Sequence, residues 1–479
     1  MPYTVRFFVI LLAANALATP AAAQNEAPRD EFAECEDSSS HASLRATQCA
    51  LFETPLDHGA PDAGTIELFV RKFPAEGRAK GQIWLVAGGP GESGASFYPF
   101  VDTLRAAAPG FDLLIPDHRG TGFSTRLCPK EEGVASEAGS SLAGSEWGTC
   151  FGFLNTKAER TMAFTISNAA RDLELLMSRL DTDGHKYVYG VSYGTQLVLR
   201  LLSLGAQPGI DGVIFDSLVP LESNSQLDLS HRSAVTDRVG REVLRGCDAR
   251  PECDQYFPDG AEQAVHRLLD REDIEVVVNG NLRYQLSALL DFPETREMLP
   301  NVIAGLQAND AAWLEFAIDR LGVLGSVLGP YPQSVSSIPL VSLISRSENN
   351  ARPELTAEVV EREQEAFLFA SPLPSLLLAG GIPTYQRDAN FGVLPATLPR
   401  SIVLQGTLDP KTPYHGAEEH VAKLKAVGNI ELVPVERAPH FILMTAPDEL
   451  KRSVRDFIGK DCGLETPEGD RLTVEACRK

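Results

Sequence analysis

Apolar residues gather in short continuous runs rather than in strict alternation, at 65–73, 82–86, 111–116, 186–191, 212–215, 401–404 and 430–434. Runs of this kind suit strands covered on both faces of a parallel sheet, where neither side is left to water. Between them the spacing turns helical. In 168–180, Leu173, Leu176, Met177 and Leu180 fall on one face, with Ser167 as the expected cap at its start. Further helices are expected after Tyr193, at 416–426 and at 447–458. Strand and helix in alternation predict an α/β protein with a mostly parallel, doubly wound sheet. The rhythm breaks from 221 to 395, where the pattern is helix and loop, as at 236–244, 262–269, 311–321 and 355–369. Strands resume at Ser401 and complete the same sheet. The break is therefore expected to be an inserted helical cap, with the core divided into 24–220 and 396–479.

The chain start reads differently. Arg6, the apolar run from Phe7 to Leu12, and Ala21-Ala22-Ala23 before Gln24 follow the order of a cleaved secretion signal, 1–23. The run is shorter than the ~20 residues of a membrane span. A secreted or periplasmic protein, free of the membrane after cleavage, is the expectation. Eight Cys, all beyond the signal, fit an oxidising compartment. They allow roughly a hundred pairings. The economical one joins near neighbours, Cys35–Cys49, Cys128–Cys150, Cys247–Cys253 and Cys462–Cys477, in short loops outside the expected sheet. No closely spaced Cys or Cys/His pair suggests zinc, so no metal is expected. A net charge of −22 with no basic stripe speaks against a nucleic-acid partner.

Candidate chemistry begins at Gly190-Val191-Ser192-Tyr193-Gly194, a G-x-S-x-G between an apolar run and a helix-compatible segment. That is the context of a nucleophile elbow, a tight turn lifting a serine hydroxyl clear of the sheet. A neutral serine needs a base, and this arrangement supplies it in the chain order serine, acid, histidine. Asp409 follows the strand at 401–404, and His440 follows the strand at 430–434, so both emerge at the carboxyl edge with Ser192. His118 also follows a strand but precedes the serine. Gly88-Gly89-Pro90-Gly91 follows an early strand. Backbone N–H groups of Gly89 and Tyr193 are the candidate oxyanion donors. Residues 89–94 spell G-x-G-x-x-G, yet Pro90 lacks an N–H, and no Lys follows as a phosphate loop requires.

These motifs resemble the proline iminopeptidase and tripeptidyl aminopeptidase group of α/β hydrolases. The shared segments are Val86-Ala87-Gly88-Gly89-Pro90-Gly91, Asp117-His118-Arg119-Gly120-Thr121-Gly122-Phe123-Ser124, Gly190 to Thr195, Gly406 to Pro413, and His440, with Pro55-Leu56-Asp57-His58 similar to the secreted tripeptidyl branch. The resemblance spans about 54–220 and 399–458. It implies an α/β-hydrolase fold and a catalytic triad of Ser192, Asp409 and His440. It also implies no cofactor, and a peptide substrate trimmed from its amino end. Such trimming needs an acid for the substrate ammonium group, and Glu222 and Glu92 are the candidates. Ala87 stands where the group often has His, Glu92 where the tripeptidyl branch has a small residue, and Pro439-His440-Phe441 in place of Gly-His-Gly. The same triad would serve a secreted carboxylic-ester hydrolase, and a silent binding protein could keep the frame without turnover. Oligomeric state is left open.

Overall fold

The computed structural model describes residues 30–205, 209–220 and 224–461. Nine strands share one sheet: β1 (Ala33–Glu34), β2 (Gln48–Pro55), β3 (Thr65–Phe73), β4 (Gly81–Val86), β5 (Asp112–Pro116), β6 (His185–Val191), β7 (Gly212–Asp216), β8 (Leu398–Gly406) and β9 (Gly428–Val435). Their spatial order is β1-β2-β3-β5-β4-β6-β7-β8-β9. From β5 to β9 all neighbours are parallel, and β1, β2 and β3 add an antiparallel margin. Of these, β3 was expected at 65–73, whereas β1 and β2 were not. β1 has two residues, and the polar positions of β2 break its apolar signal. Cys49 therefore sits within the sheet, not outside it.

Period-two geometry explains the continuous apolar runs. In β4, Trp84 and Val86 join Val188, Val213, Phe215 and Val403 on one face, whereas Ile83 and Leu85 join Tyr187, Tyr189, Ile214 and Leu404 on the other. Helices Ile166–Arg179, Tyr193–Ser203 and Tyr414–Leu424 cover the first face. Val101–Ala107 and Pro447–Asp461 cover the second. Leu173, Leu176 and Met177 are buried as their spacing predicts. The cap of that helix is Thr165, whose side chain accepts from the Asn168 N–H at 3.0 Å, and not Ser167, which lies inside the first turn and accepts from Arg200.

Between β7 and β8 lies the helical insert, including Arg232–Asp248, Ala261–Leu269, Leu299–Gln307, Ala312–Gly325, Ile338–Ser347 and Ala357–Glu365. Much of it packs on its own cluster, with Leu244, Val265, Leu268, Leu286, Ile303 and Phe369 among its members. Ile338–Ser347 differs, since Leu340, Leu343 and Ile344 join the sheet's first cluster. The helix expected over 355–369 ends at Glu365, because Asp237 captures the N–H groups of Leu368 and Phe369 at 2.7 and 3.1 Å.

Disulfides join Cys35 to Cys49, Cys128 to Cys150 and Cys247 to Cys253, which fits folding outside the reducing cytoplasm. The expected Cys462–Cys477 pair, the signal at 1–23 and Glu222 lie outside the described residues. No helix among the described residues is long and apolar enough to cross a membrane.

Candidate active site

The turn after β6 has the strained form that an elbow demands. Ser192 adopts φ 52° and ψ −123°, and its N–H donates to the Asp216 carbonyl of β7 at 2.9 Å. The crossing is too tight for side chains at the flanking glycines. A Cβ at Gly190 would lie 2.8 Å from the Gly194 carbonyl oxygen, and one at Gly194 would lie 2.2 Å from that of Val86. Tyr193 then opens the helix Tyr193–Ser203, whose N-terminal N–H groups face developing negative charge favourably.

Asp409, fully buried after β8, accepts His440 Nδ1 at 2.8 Å through Oδ2. The Thr412 hydroxyl donates to the same oxygen at 2.8 Å, and the N–H groups of Lys411 and Thr412 donate to Oδ1 at 2.7 and 2.8 Å. Burial works to raise this carboxyl, but the charge and hydrogen bond of His440, with those backbone donors, outweigh it and hold it below its ordinary value. Nε2 of His440 is the ring nitrogen that Asp409 does not hold. Ser192 and His440 line one cavity of about 780 Å³, within the size range of small-ligand sites.

The loop carrying His440 is fixed by a residue whose part the sequence did not disclose. Asp216, closing β7, accepts from the N–H groups of Ile442 and Leu443 at 2.8 and 2.9 Å and from the hydroxyls of Tyr189 and Ser217. Ser217 Oγ in turn accepts the Phe441 N–H at 2.9 Å. An acid terminating an apolar strand at the carboxyl edge was the available signal. Thr412 gave none beyond its nearness to Asp409.

Gly89 and Tyr193 both line the cavity, and among the described residues no acceptor takes either backbone N–H. Gly89 has φ +112°, and a Cβ there would meet the Gly91 nitrogen at 2.2 Å. Glu92 lies close by. The point a Gly88 Cβ would occupy is 3.2 Å from a Glu92 carboxylate oxygen and 3.3 Å from Ser192 Cβ. Burial raises the Glu92 carboxyl, while the charges of Lys411 and His440 oppose the rise.

The Asp117–Ser124 motif is architectural. Asp117 accepts from the N–H groups of Gly94 and Phe123 at 2.7 and 2.8 Å. Arg119 forks onto Asp172 at 2.6 and 2.7 Å and reaches the Pro55 and Leu56 carbonyls, while His58 also meets Asp172 at 2.8 Å. His118 is buried against the Tyr193 ring, and burial pulls its imidazole down to about 4, so it stays neutral in the wall of the core.

A profile of the α/β-hydrolase fold matches residues 83–255. Carboxylesterase B of Mycobacterium tuberculosis is 32% identical over 109 residues, a stretch covering 21% of this chain and 20% of that protein. Serine protease Hip1 of Mycobacterium bovis is 28% identical over 165 residues, covering 31% and 32%. The chain thus spans from a fifth to a third of the length of these curated relatives. A solved proline iminopeptidase-related protein from Thermus thermophilus aligns with 85% of this chain and 96% of its own, at 15% identity and a TM-score of 0.38. The matched profile and the mostly parallel sheet with its helical insert agree: the protein has the α/β-hydrolase fold.

Proposed function

We propose that the protein is a secreted serine aminopeptidase that releases single residues or short peptides from an amino terminus. Ser192 Oγ attacks the scissile carbonyl and gives its proton to His440 Nε2. Asp409 holds the imidazole through Nδ1 and stabilises its charged form, and the N–H groups of Gly89 and Tyr193 take the oxyanion. The imidazolium then protonates the leaving amine, and a water activated by the same nitrogen hydrolyses the acyl-enzyme. Glu92 binds the substrate ammonium.

The observation that carries this reading is the Asp409–His440 pair at 2.8 Å opening on the cavity that Ser192 and the Glu92 carboxylate share. Among the described residues no donor hydrogen-bonds to Glu92, so its charge is available to a ligand. The test is turnover of aminoacyl arylamides against short acyl esters. Arylamide turnover that disappears in Ser192→Ala, with the fold retained, supports the reading; full activity in that variant refutes it. Mass spectrometry of products from a mixed peptide library then gives the number of residues released.

One observation favours ester hydrolysis as a second reading. The insert lines the cavity with Ala288, Phe292, Ile318, Leu321, Leu328 and Leu373, an apolar wall suited to acyl chains. Turnover confined to the esters would favour it.

A further inference from the structure

The charged side chains around the cavity are not equivalent, because most already have partners. Asp228 accepts from Ser230, from His231 Nδ1 at 2.7 Å and from the Ala351 N–H. Asp291 accepts Lys411 Nζ at 3.0 Å, so these two are paired. Glu348 is held by Arg200 at 2.7 Å and by the Tyr385 hydroxyl at 2.9 Å. Arg387 donates to the Ser347, Glu348 and Asn350 carbonyls and stacks on Phe391.

Two remain. Glu92 is one. The other is Arg232, the first residue of helix Arg232–Asp248, which makes no hydrogen bond or ion pair among the described residues and whose Nε is sealed from solvent without an acceptor. An arginine keeps its charge at any working pH and carries five N–H donors in a planar fork. Arg232 is half-buried, and among the described residues none of these donors finds an acceptor, which is rare for a sealed group such as its Nε. Asp409, Asp291 and Asp228 are near enough to stabilise the charge. These carboxylates already accept from His440 and Thr412, from Lys411, and from Ser230, His231 and Ala351, and none of them bonds Arg232. The helix that begins at Arg232 is moored beside the triad, since Thr236 Oγ1 donates to the Pro410 carbonyl at 3.2 Å.

We infer that Arg232 is a substrate-carboxylate site, so that the cavity selects short peptides bearing an anionic group as well as a free amine. Among the described residues, one unpartnered cation and one unpartnered anion in the same cavity complement such a zwitterion, and about 780 Å³ holds only a short segment. The inference rests on the aminopeptidase reading for the word peptide, not for the anion site itself. The carboxylate has two sources, a chain terminus or an acidic side chain.

The experiment compares kcat/KM of the full-length protein on Ala-Ala-Ala, its C-terminal amide, and Ala-Asp-Ala amide. The free acid is expected to exceed its amide on the order of 10- to 100-fold, the range of one charge-assisted hydrogen bond. Arg232→Gln should bring the ratio to about one and Arg232→Lys should keep part of it. Complete labelling of Arg232→Gln by a neutral fluorophosphonate shows that it is folded; should it not fold, the wild-type and Arg232→Lys ratios decide. Recovery of the preference in Ala-Asp-Ala amide assigns the carboxylate to a side chain, and its absence there assigns it to the terminus. Equal rates on all three peptides, or an Arg232→Gln variant that lowers them all alike, overturns the inference. If no peptide turns over but esters do, it is the aminopeptidase reading that fails. The same ratio is then read on p-nitrophenyl hemisuccinate against p-nitrophenyl butyrate, where a lack of any Arg232-dependent preference overturns the anion site.

Discussion

The parallel half of the sheet and the helical insert bury their apolar side chains in separate clusters and present different kinds of polar group to the cavity between them. On the sheet side Asp409 accepts four hydrogen bonds at 2.8 Å or less, and the loop beyond His440 is tied to Asp216. Apart from the helix Ile338–Ser347 and Tyr331, Ile382 and Tyr385, which pack on the sheet's clusters, the insert builds its own core and leaves Arg232 without a partner among the described residues. Reaction geometry tolerates little displacement, whereas selectivity needs groups that a ligand can still satisfy. The division teaches where each kind of change should act: on kcat when it strikes the sheet edge, on stability or substrate choice when it strikes the insert.

The largest expected effect lies at the acid of the proposed triad. Asp409→Asn keeps the shape but removes the charge that fixes the imidazole, and kcat should fall on the order of 10⁴, about 5.5 kcal/mol, with KM little altered. Rapid-quench kinetics on an arylamide would check it, and a loss below tenfold would deny Asp409 its role. Next comes Asp216→Ala. It strands the Tyr189 hydroxyl and the N–H groups of Ile442 and Leu443. Unfolding in denaturant should show a loss of about 3–5 kcal/mol. Displacement of His440 should lower kcat on the order of 10². A stability loss with unchanged kcat would mean that the His440 loop holds its place unaided.

Ile303→Ala probes the other side. Ile303 is fully buried in the insert's own cluster, so truncation should cost about 2–4 kcal/mol. If the two cores are separate, that loss appears as an earlier transition of the insert, with hydrogen exchange raised there and Ser192 still labelled by a fluorophosphonate at the wild-type rate. One cooperative transition shifted as a whole would dissolve the distinction between the regions.

How much of this was legible in the sequence follows from the range of the interactions. The elbow, the chain order of Ser192, Asp409 and His440, and the strands that deliver them are local patterns read against a fixed topology, and the strands appear close to their expected bounds. The role of Asp216 was not legible, because its partners at Ile442 and Leu443 lie 226 and 227 residues away. Likewise the shortening of the helix expected at 355–369 depends on Asp237, 131 residues before Leu368. Arg232 lies before the helix expected at 236–244 and nothing in the sequence marks it; only the packing of the insert over the cavity isolates it.

The smallest effect gives the finest comparison, because Glu92 sits on the sheet-side loop yet is assigned to substrate choice. Burial holds its carboxyl above the ordinary 4.5, against the charges of Lys411 and His440. A carboxyl so raised takes up its proton earlier as pH falls, so its attraction for an ammonium group is complete above the raised value and lost below it. Acid also bears on the chemical step that every substrate shares, and a single pH profile would mix the two. The ratio of kcat/KM for an aminoacyl arylamide to that for an amine-free ester cancels what the two substrates share. That ratio should fall about tenfold as pH drops through a midpoint above 4.5, and Glu92→Gln should hold it at the low plateau at every pH. A wild-type ratio that does not change with pH would remove Glu92 from amine recognition and leave its carboxylate as part of the scaffold around Ser192.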